Sequence, residues 1–401
     1  MPSLQHSLLL FLCAFHPATA KLTKQQRILC QYPTPNPLTH CPPNTLLVAP
    51  SPPNSSTTTY PNTTTYPTIQ SAILSLPPDN STHYILITPG LYREKLNITR
   101  PGPLYLLGQT ATPWTLTHNT VTVTISAATG GPNTTDNAFT SVLTIAPTLN
   151  ASLTGSGPTG FPVPDSTPFG NVDFRAYNVD FENRFANHSA GPSLALSTGF
   201  ANTGFYQCAF RSYQDTVYVG KFANCYMRSC EVAGQTDFLY GFGTAWVEGS
   251  EVVMRGCGGG VAAWKGSNTT SFANRFGVYV HGSRVVAANA SVAVGMRGRC
   301  ALGRPWNALH RSVFSESYLD ASVRASGYVG WSASESRVGN GTFMAEYRSF
   351  GPGWNETGRR EGGVTRVLSE EMWRPYSSPQ EVFQYFKSGK TGNVGWIDWE
   401  A

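Results

Sequence analysis

Charge is scarce in this 401-residue chain. Asp, Glu, Lys and Arg make up 13% of it, about half the ~25% of an ordinary soluble domain. No long amphipathic helical period runs through it, which argues against a helical bundle. No apolar run reaches the ~18 residues that a membrane span needs. Neither a membrane nor a nucleic-acid partner is expected. There is no Cys-x-x-Cys and no Cys/His cluster, so no metal site is expected. There is no Gly-x-Ser-x-Gly, which argues against a serine esterase built on a nucleophile elbow. The eight His are scattered and offer no obvious general base. A formal Gly-x-Gly-x-x-Gly occurs at Gly155, Gly157 and Gly160. Prolines follow it where a helix should start, so it is not a dinucleotide site.

Short apolar segments and turn residues are abundant, with 39 Gly and 29 Pro. This is an all-β composition. The most informative stretch is Phe205 to Tyr240. Shifted by 22 residues against itself, it aligns Cys208 with Cys230, Phe210 with Val232, Asp215 with Asp237, and Tyr218 with Tyr240. A repeat of this length made of short strands predicts a parallel β-solenoid. Residues one period apart then sit on neighbouring strands, about 4.8 Å apart. Asp215 and Asp237 should project side by side. Two carboxylates that close cannot both ionise easily, so one becomes a proton donor and the other a nucleophile. Read alone, either Asp is an ordinary turn residue. A like-charge ladder costs stability and needs a compensating reason.

Residues 1–20 read as a secretory signal. Leu8 to Phe15 is the apolar stretch and Ala18-Thr19-Ala20 the cleavage site, although no Lys or Arg precedes them. Eleven N-x-S/T sequons fit export: Asn54, Asn62, Asn80, Asn97, Asn133, Asn150, Asn187, Asn268, Asn289, Asn340 and Asn355. Residues 21–45 read as an irregular leader, in which Cys30 and Cys41 could close a small loop. One domain should occupy 46–401, beginning with a strand at Leu46-Leu47-Val48. Tyr66 to Leu76 has helical spacing and would cap the open end of the solenoid. Strands follow at Tyr84–Thr88, Leu104–Leu107, Val121–Ile125, Ser141–Ile145 and Val172–Phe181. About ten coils should end near Gly351, before a charged, Trp-rich tail that folds back on them. Cys208, Cys230 and Cys257 recur at similar places and could form an interior ladder of free thiols.

Several segments, taken together in order, carry a family resemblance. Tyr213-Gln214-Asp215-Thr216-Val217-Tyr218 resembles the pectinesterase segment YQDTLY. Gly234-Gln235-Thr236-Asp237-Phe238-Leu239-Tyr240-Gly241 is similar to GxVDFIFG, and Leu302-Gly303-Arg304-Pro305-Trp306 to LGRPW. Pro89 to Glu94 resembles PGxYxE, and Tyr66 to Ile73 resembles FxTIQxAI. The resemblance implies a right-handed parallel β-helix that hydrolyses methyl esters of polygalacturonate without metal or cofactor. It implies Asp237 as nucleophile and Asp215 as general acid and then base. Arg304 would hold Asp237 ionised, below the usual carboxylate range. Gln214 would donate to the oxyanion, and Trp306, Tyr218, Tyr240 and Trp331 would line the sugar groove. The implied partner is methyl-esterified homogalacturonan, met by a secreted monomer. A formal charge of +5 suits attraction to such an acidic polymer.

One departure bears on activity. The family places a second oxyanion glutamine in QAVAL, and here the segment reads Pro192-Ser193-Leu194-Ala195-Leu196. Proline offers neither a carboxamide nor an N–H. Ser193 could substitute. The departure keeps open a catalytically weak, pectin-binding wall protein. A lyase or glycosidase on acidic polysaccharide is the third reading, but the carboxylate clusters it needs are not evident.

Overall fold

The computed structural model describes residues 22–50, 65–131, 134–155, 157, 158, 160, 163–268 and 270–401. The proposed signal and the sequons at Asn54, Asn62 and Asn133 lie outside them. Three sheets of twelve, eight and seven strands run the length of the molecule. Every ladder between described strands is parallel, as in Val217–Val219 on Leu239–Gly241 and Asn202–Tyr206 on Asn224–Arg228. The chain is a parallel β-helix.

The 22-residue repeat is also the spatial register. Phe210 pairs with Val232, and Tyr218 with Tyr240. Strands this short gain little alone; they are held by stacking like on like. One interior row runs Tyr92, Val123, Phe181, Phe210, Val232, Val252, Val285 and Leu319, all buried. Within it the rings of Phe181 and Phe210 stack 5.6 Å apart. Corners repeat as well. The residue after each first-sheet strand is left-handed at Asn178, Gln207, Ser229, Gly249, Gly282, Glu316 and Arg348, with φ between 50° and 54°. Most of these are not Gly, at a cost of about 1–2 kcal/mol each, which the stacked strands must offset.

That corner explains one difference from the expected strands. Val172–Phe181 is two strands, Phe174–Tyr177 and Val179–Asn183, in different sheets. A turn made by the single left-handed Asn178 leaves no Gly or Pro signature. The leader also differs. Lys24–Gln31 is a helix, opened by a capping box of Thr23 and Gln26. It is pinned by the Cys30–Cys41 disulfide and by Gln31 Nε2 donating to the Gly108 carbonyl at 2.8 Å. The capping helix is present but shorter, Ile69–Ser75. Glu94, from the PGxYxE-like segment, accepts from the N–H groups of Ile69 and Gln70 at 2.9 and 2.8 Å. At the other end the coils pass Gly351, since Arg366–Val367 adds a strand beside Phe343–Tyr347.

The tail does fold back. Trp373 stacks on Tyr347 at 4.2 Å, and Trp399 lies against Tyr226. Leader and tail together cover the outer side of the first sheet. The functional surface must therefore lie elsewhere.

The cysteines divide. Cys208 and Cys230 are buried free thiols one coil apart, and Ser250, Ser283 and Ser317 continue their row. Cys257 is not part of it. It lies further along its coil, at the end of the strand Glu251–Gly258, and is bonded to Cys300. The next coil differs in length, so similar spacing in sequence did not mean the same rung. Cys225 is a third buried thiol. Burial pushes Cys208 and Cys225 up to about 12. Alkylation of the native protein should therefore spare all three. Unfolding without reductant should expose Cys208, Cys225 and Cys230 to label, and neither Cys257 nor Cys300. Peptide mapping that finds Cys208 joined to Cys230 would refute the ladder.

Candidate active site

In each third-sheet strand the middle side chain points outward. Pairing sets Tyr218, Tyr240, Ala263 and Arg304 in one outward row. Asp215 and Asp237 lie at the corner just before their strands, again left-handed, with φ 59° and 49°. Short polar Asp tolerates that conformation better than most residues. The backbone fixes both: Asp215 N–H donates to the Thr236 carbonyl at 3.0 Å, and Asp237 N–H to that of Gly260 at 2.8 Å. The two carboxylates thus come from adjacent coils at one corner, as the repeat predicts.

Their partners differ. Arg304 reaches past the small Ala263 and grips Asp237 with two prongs, Nη2 to Oδ2 at 2.7 Å and Nε to Oδ1 at 3.0 Å. The Gly260 N–H adds a third contact to Oδ1 at 3.1 Å. Beside them Gly259 has φ +61°, and a Cβ there would lie 2.5 Å from Asp237 Oδ1. Only Gly fits. Among the described residues Asp215 has no cation of its own. It accepts from Asn137 Nδ2 at 3.0 Å.

Burial dominates the electrostatics. It pushes Asp215 well above the usual carboxylate range; the Asp237 charge adds to this, and Arg304 and Asn137 oppose it. Burial also pushes Asp237 up, with Arg304 pulling it back. Asp237 is therefore not depressed as expected, because the loss of water outweighs the cation. The order survives: Asp215 is the carboxyl that keeps its proton longer.

Gln214 accepts from Ser189 Oγ through Oε1 at 2.8 Å. That bond commits the oxygen and leaves the amide nitrogen as the donor. Trp306 is half-buried, 5.7 Å from the Tyr240 ring, with Lys265 Nζ 4.2 Å over its face. Trp331 is sandwiched between Arg304 and Arg337, at 4.0 and 4.1 Å. Tyr218 and Tyr240 do not line an open groove. Tyr218 is fully buried beneath the 149–155 segment, its hydroxyl donating to the Leu153 carbonyl at 3.3 Å. Tyr240 is nearly so, and they form the floor rather than the walls. Ser193 does not stand in for the missing glutamine, since its hydroxyl pairs with that of Ser212 inside the coil at 2.8 Å.

Sequence reasoning missed three residues here. Asn137, Arg337 and Lys265 belong to none of the recognised segments. Lys265 is buried, pushed down to about 8 by burial, and donates to the carbonyls of Gly157 and Gly160. It fastens the Gly/Pro-rich loop beside the site. Among the described residues, no group of His, Cys, Asp and Glu could hold a metal ion, and no helix is long and apolar enough to cross a membrane.

Comparison with known proteins gives the family and the fold. The pectinesterase family model matches residues 165–385. Pectinesterase 2 of Citrus sinensis is 27% identical over 217 residues, 52% of this chain and 40% of that protein. The chain thus spans less than half of this plant relative. Probable pectinesterase A of Aspergillus niger is 27% identical over 265 residues, 66% of this chain and 70% of that protein. The fold is that of the crystallised pectin methylesterase from Aspergillus niger. The TM-score is 0.66 at 23% identity, over 90% of this chain and 98% of that one.

Proposed function

The chain belongs to the pectinesterase family, and on that premise we propose that it hydrolyses the methyl esters of homogalacturonan to pectate and methanol. One observation carries the reading. Two buried carboxylates from adjacent coils share a corner, and only one of them is gripped by an arginine. This asymmetry divides the chemistry.

Asp237, ionised by Arg304, attacks the C6 ester carbonyl through a carboxylate oxygen. Gln214 donates to the oxygen that becomes negative. As the tetrahedral intermediate collapses, the C–OCH3 bond breaks and Asp215 gives its proton to the leaving oxygen, releasing methanol. An anhydride between Asp237 and the galacturonyl group remains. Asp215, now a carboxylate, takes a proton from water, which attacks the anhydride. The galacturonate acid leaves, and Asp237 is restored. Neither metal nor cofactor enters. Trp306 and Trp331 would flank the sugar. The expected setting is outside the cell, for a monomer.

The weak-binding alternative draws on Pro192. Incubation with methyl-esterified polygalacturonate separates the two. We expect methanol and titratable acid in equal amounts, with a bell-shaped pH profile. Its acid limb belongs to Asp237, which must lose its proton, and its alkaline limb to Asp215, which must keep one. Retention on pectin without methanol release would leave only the binding protein.

A further inference from the structure

We propose that Asn137 is the second carboxamide of this active site, a catalytic residue that holds Asp215 with one N–H and offers the other to the ester oxygen. It replaces the glutamine whose place Pro192 takes. The inference rests on the methylesterase reading.

Asn137 reaches the site from a different coil. It opens the short turn Asn137–Thr140, which Asp136 caps by accepting from the Ala138 N–H at 2.9 Å. The same Asp136 carboxylate accepts from the N–H groups of Thr154 and Gly155, at 3.0 and 3.1 Å. The backbone at 137 is therefore clamped. Its amide is oriented too. Thr129 Oγ1 donates to Asn137 Oδ1 at 2.9 Å, which commits the oxygen and leaves Nδ2 facing Asp215 Oδ2 at 3.0 Å. A flipped amide would set its oxygen against a carboxylate.

Pro192 takes part in this arrangement through the one polar group it has. Its carbonyl accepts from the Thr129 N–H at 2.9 Å. From the same segment, the Leu194 N–H donates to Thr140 Oγ1 at 3.0 Å. The segment that lost a donor side chain thus positions the turn that carries another. An amide nitrogen has two N–H groups. One meets Asp215, and the other lies toward the buried Tyr240 hydroxyl without a full hydrogen bond to it, on a side chain only half-buried, so an ester oxygen can take it. Ser193, the other candidate, is occupied inside the coil.

The test compares wild type, Asn137→Ala, Asn137→Ser, Pro192→Gln and the double variant Asn137→Ala with Pro192→Gln. Two readouts are taken: methanol release across pH, and the 13C titration of the Asp215 carboxyl. Losing one oxyanion donor should lower kcat on the order of 100-fold in Asn137→Ala, with KM little changed. Asn137→Ser, which keeps a small donor, should lose less. An N–H donor favours the ionised carboxyl, so its removal should raise the Asp215 midpoint and shift the alkaline limb upward. Adding Gln at 192 to Asn137→Ala should recover much of the lost kcat. A kcat within about twofold of wild type, far short of the loss expected for an oxyanion donor, would overturn the proposal. So would a loss of rate with the Asp215 midpoint unmoved, which would mark a structural role. If wild type releases no methanol, the functional reading fails by itself, and the titration still decides whether Asn137 acts on Asp215.

Discussion

Replacing Asp237 by Asn is expected to lower methanol release by on the order of 10⁴-fold or more, since it removes the nucleophile itself. Asn is nearly isosteric and can still accept from Arg304 and the Gly260 N–H, so the fold should hold and substrate should still bind. Arg304→Ala tests the same pair from the other side. Burial raises Asp237 and Arg304 opposes that rise. Without the cation the carboxyl climbs further, and the acid limb should move to higher pH as the rate falls. Steady-state methanol release across pH, with circular dichroism as the folding control, reads both variants. A fully active Asp237→Asn would remove Asp237 from the mechanism. An acid limb that moved to lower pH in Arg304→Ala would contradict the electrostatics.

The largest effect on stability should come from the C-terminal end of the helix. There Arg359 and Glu346 are paired and both fully buried, with Nε to Oε2 at 2.6 Å. Arg359 also donates to the carbonyls of Arg324 and Ala325, which ties the helix Glu356–Gly362 onto the last coils. Arg359→Ala should destabilise the protein by about 3–5 kcal/mol, because it strands a buried carboxylate. Burial already pushes Glu346 up, with Arg359 pulling it back. Without Arg359 its folded value lies further above the unfolded one. The folded state then holds the extra proton, and stability falls as pH rises through that interval. The deficit should accordingly shrink on acidification. Glu346→Leu combined with Arg359→Met should recover most of the loss, as apolar replacements of buried pairs often do. Urea unfolding at two pH values measures all of this. A loss below about 1 kcal/mol, the range of an exposed pair, would show that the buried pair does not hold this end.

Much of the site was legible because a solenoid converts distance along the chain into distance in space. Asp215 and Asp237 occupy matching places in a repeat, and parallel pairing carries that match into neighbouring coils. The same logic failed at Cys257, where the coil length changes and the cysteine meets Cys300 instead. It failed again at Asn178, where a single left-handed residue turns a corner inside an unbroken apolar run. The leader helix was missed because most of its hold is tertiary: a disulfide, and a buried Gln31 reaching Gly108.

The sequence by itself determined the fold class, the shared corner of the two carboxylates, and the arginine assigned to one of them. The first two follow from periodicity, and the third from the resemblance of Leu302-Gly303-Arg304-Pro305-Trp306 to a family segment. Only the tertiary structure decided how the carboxyls titrate, which tyrosines are floor rather than wall, and that Asn137 meets Asp215. The physical reason is that burial depends on everything packed around a group. The partners that bury or hold Asp215 arrive from coils and loops outside its repeat, with no fixed spacing in the chain to announce them.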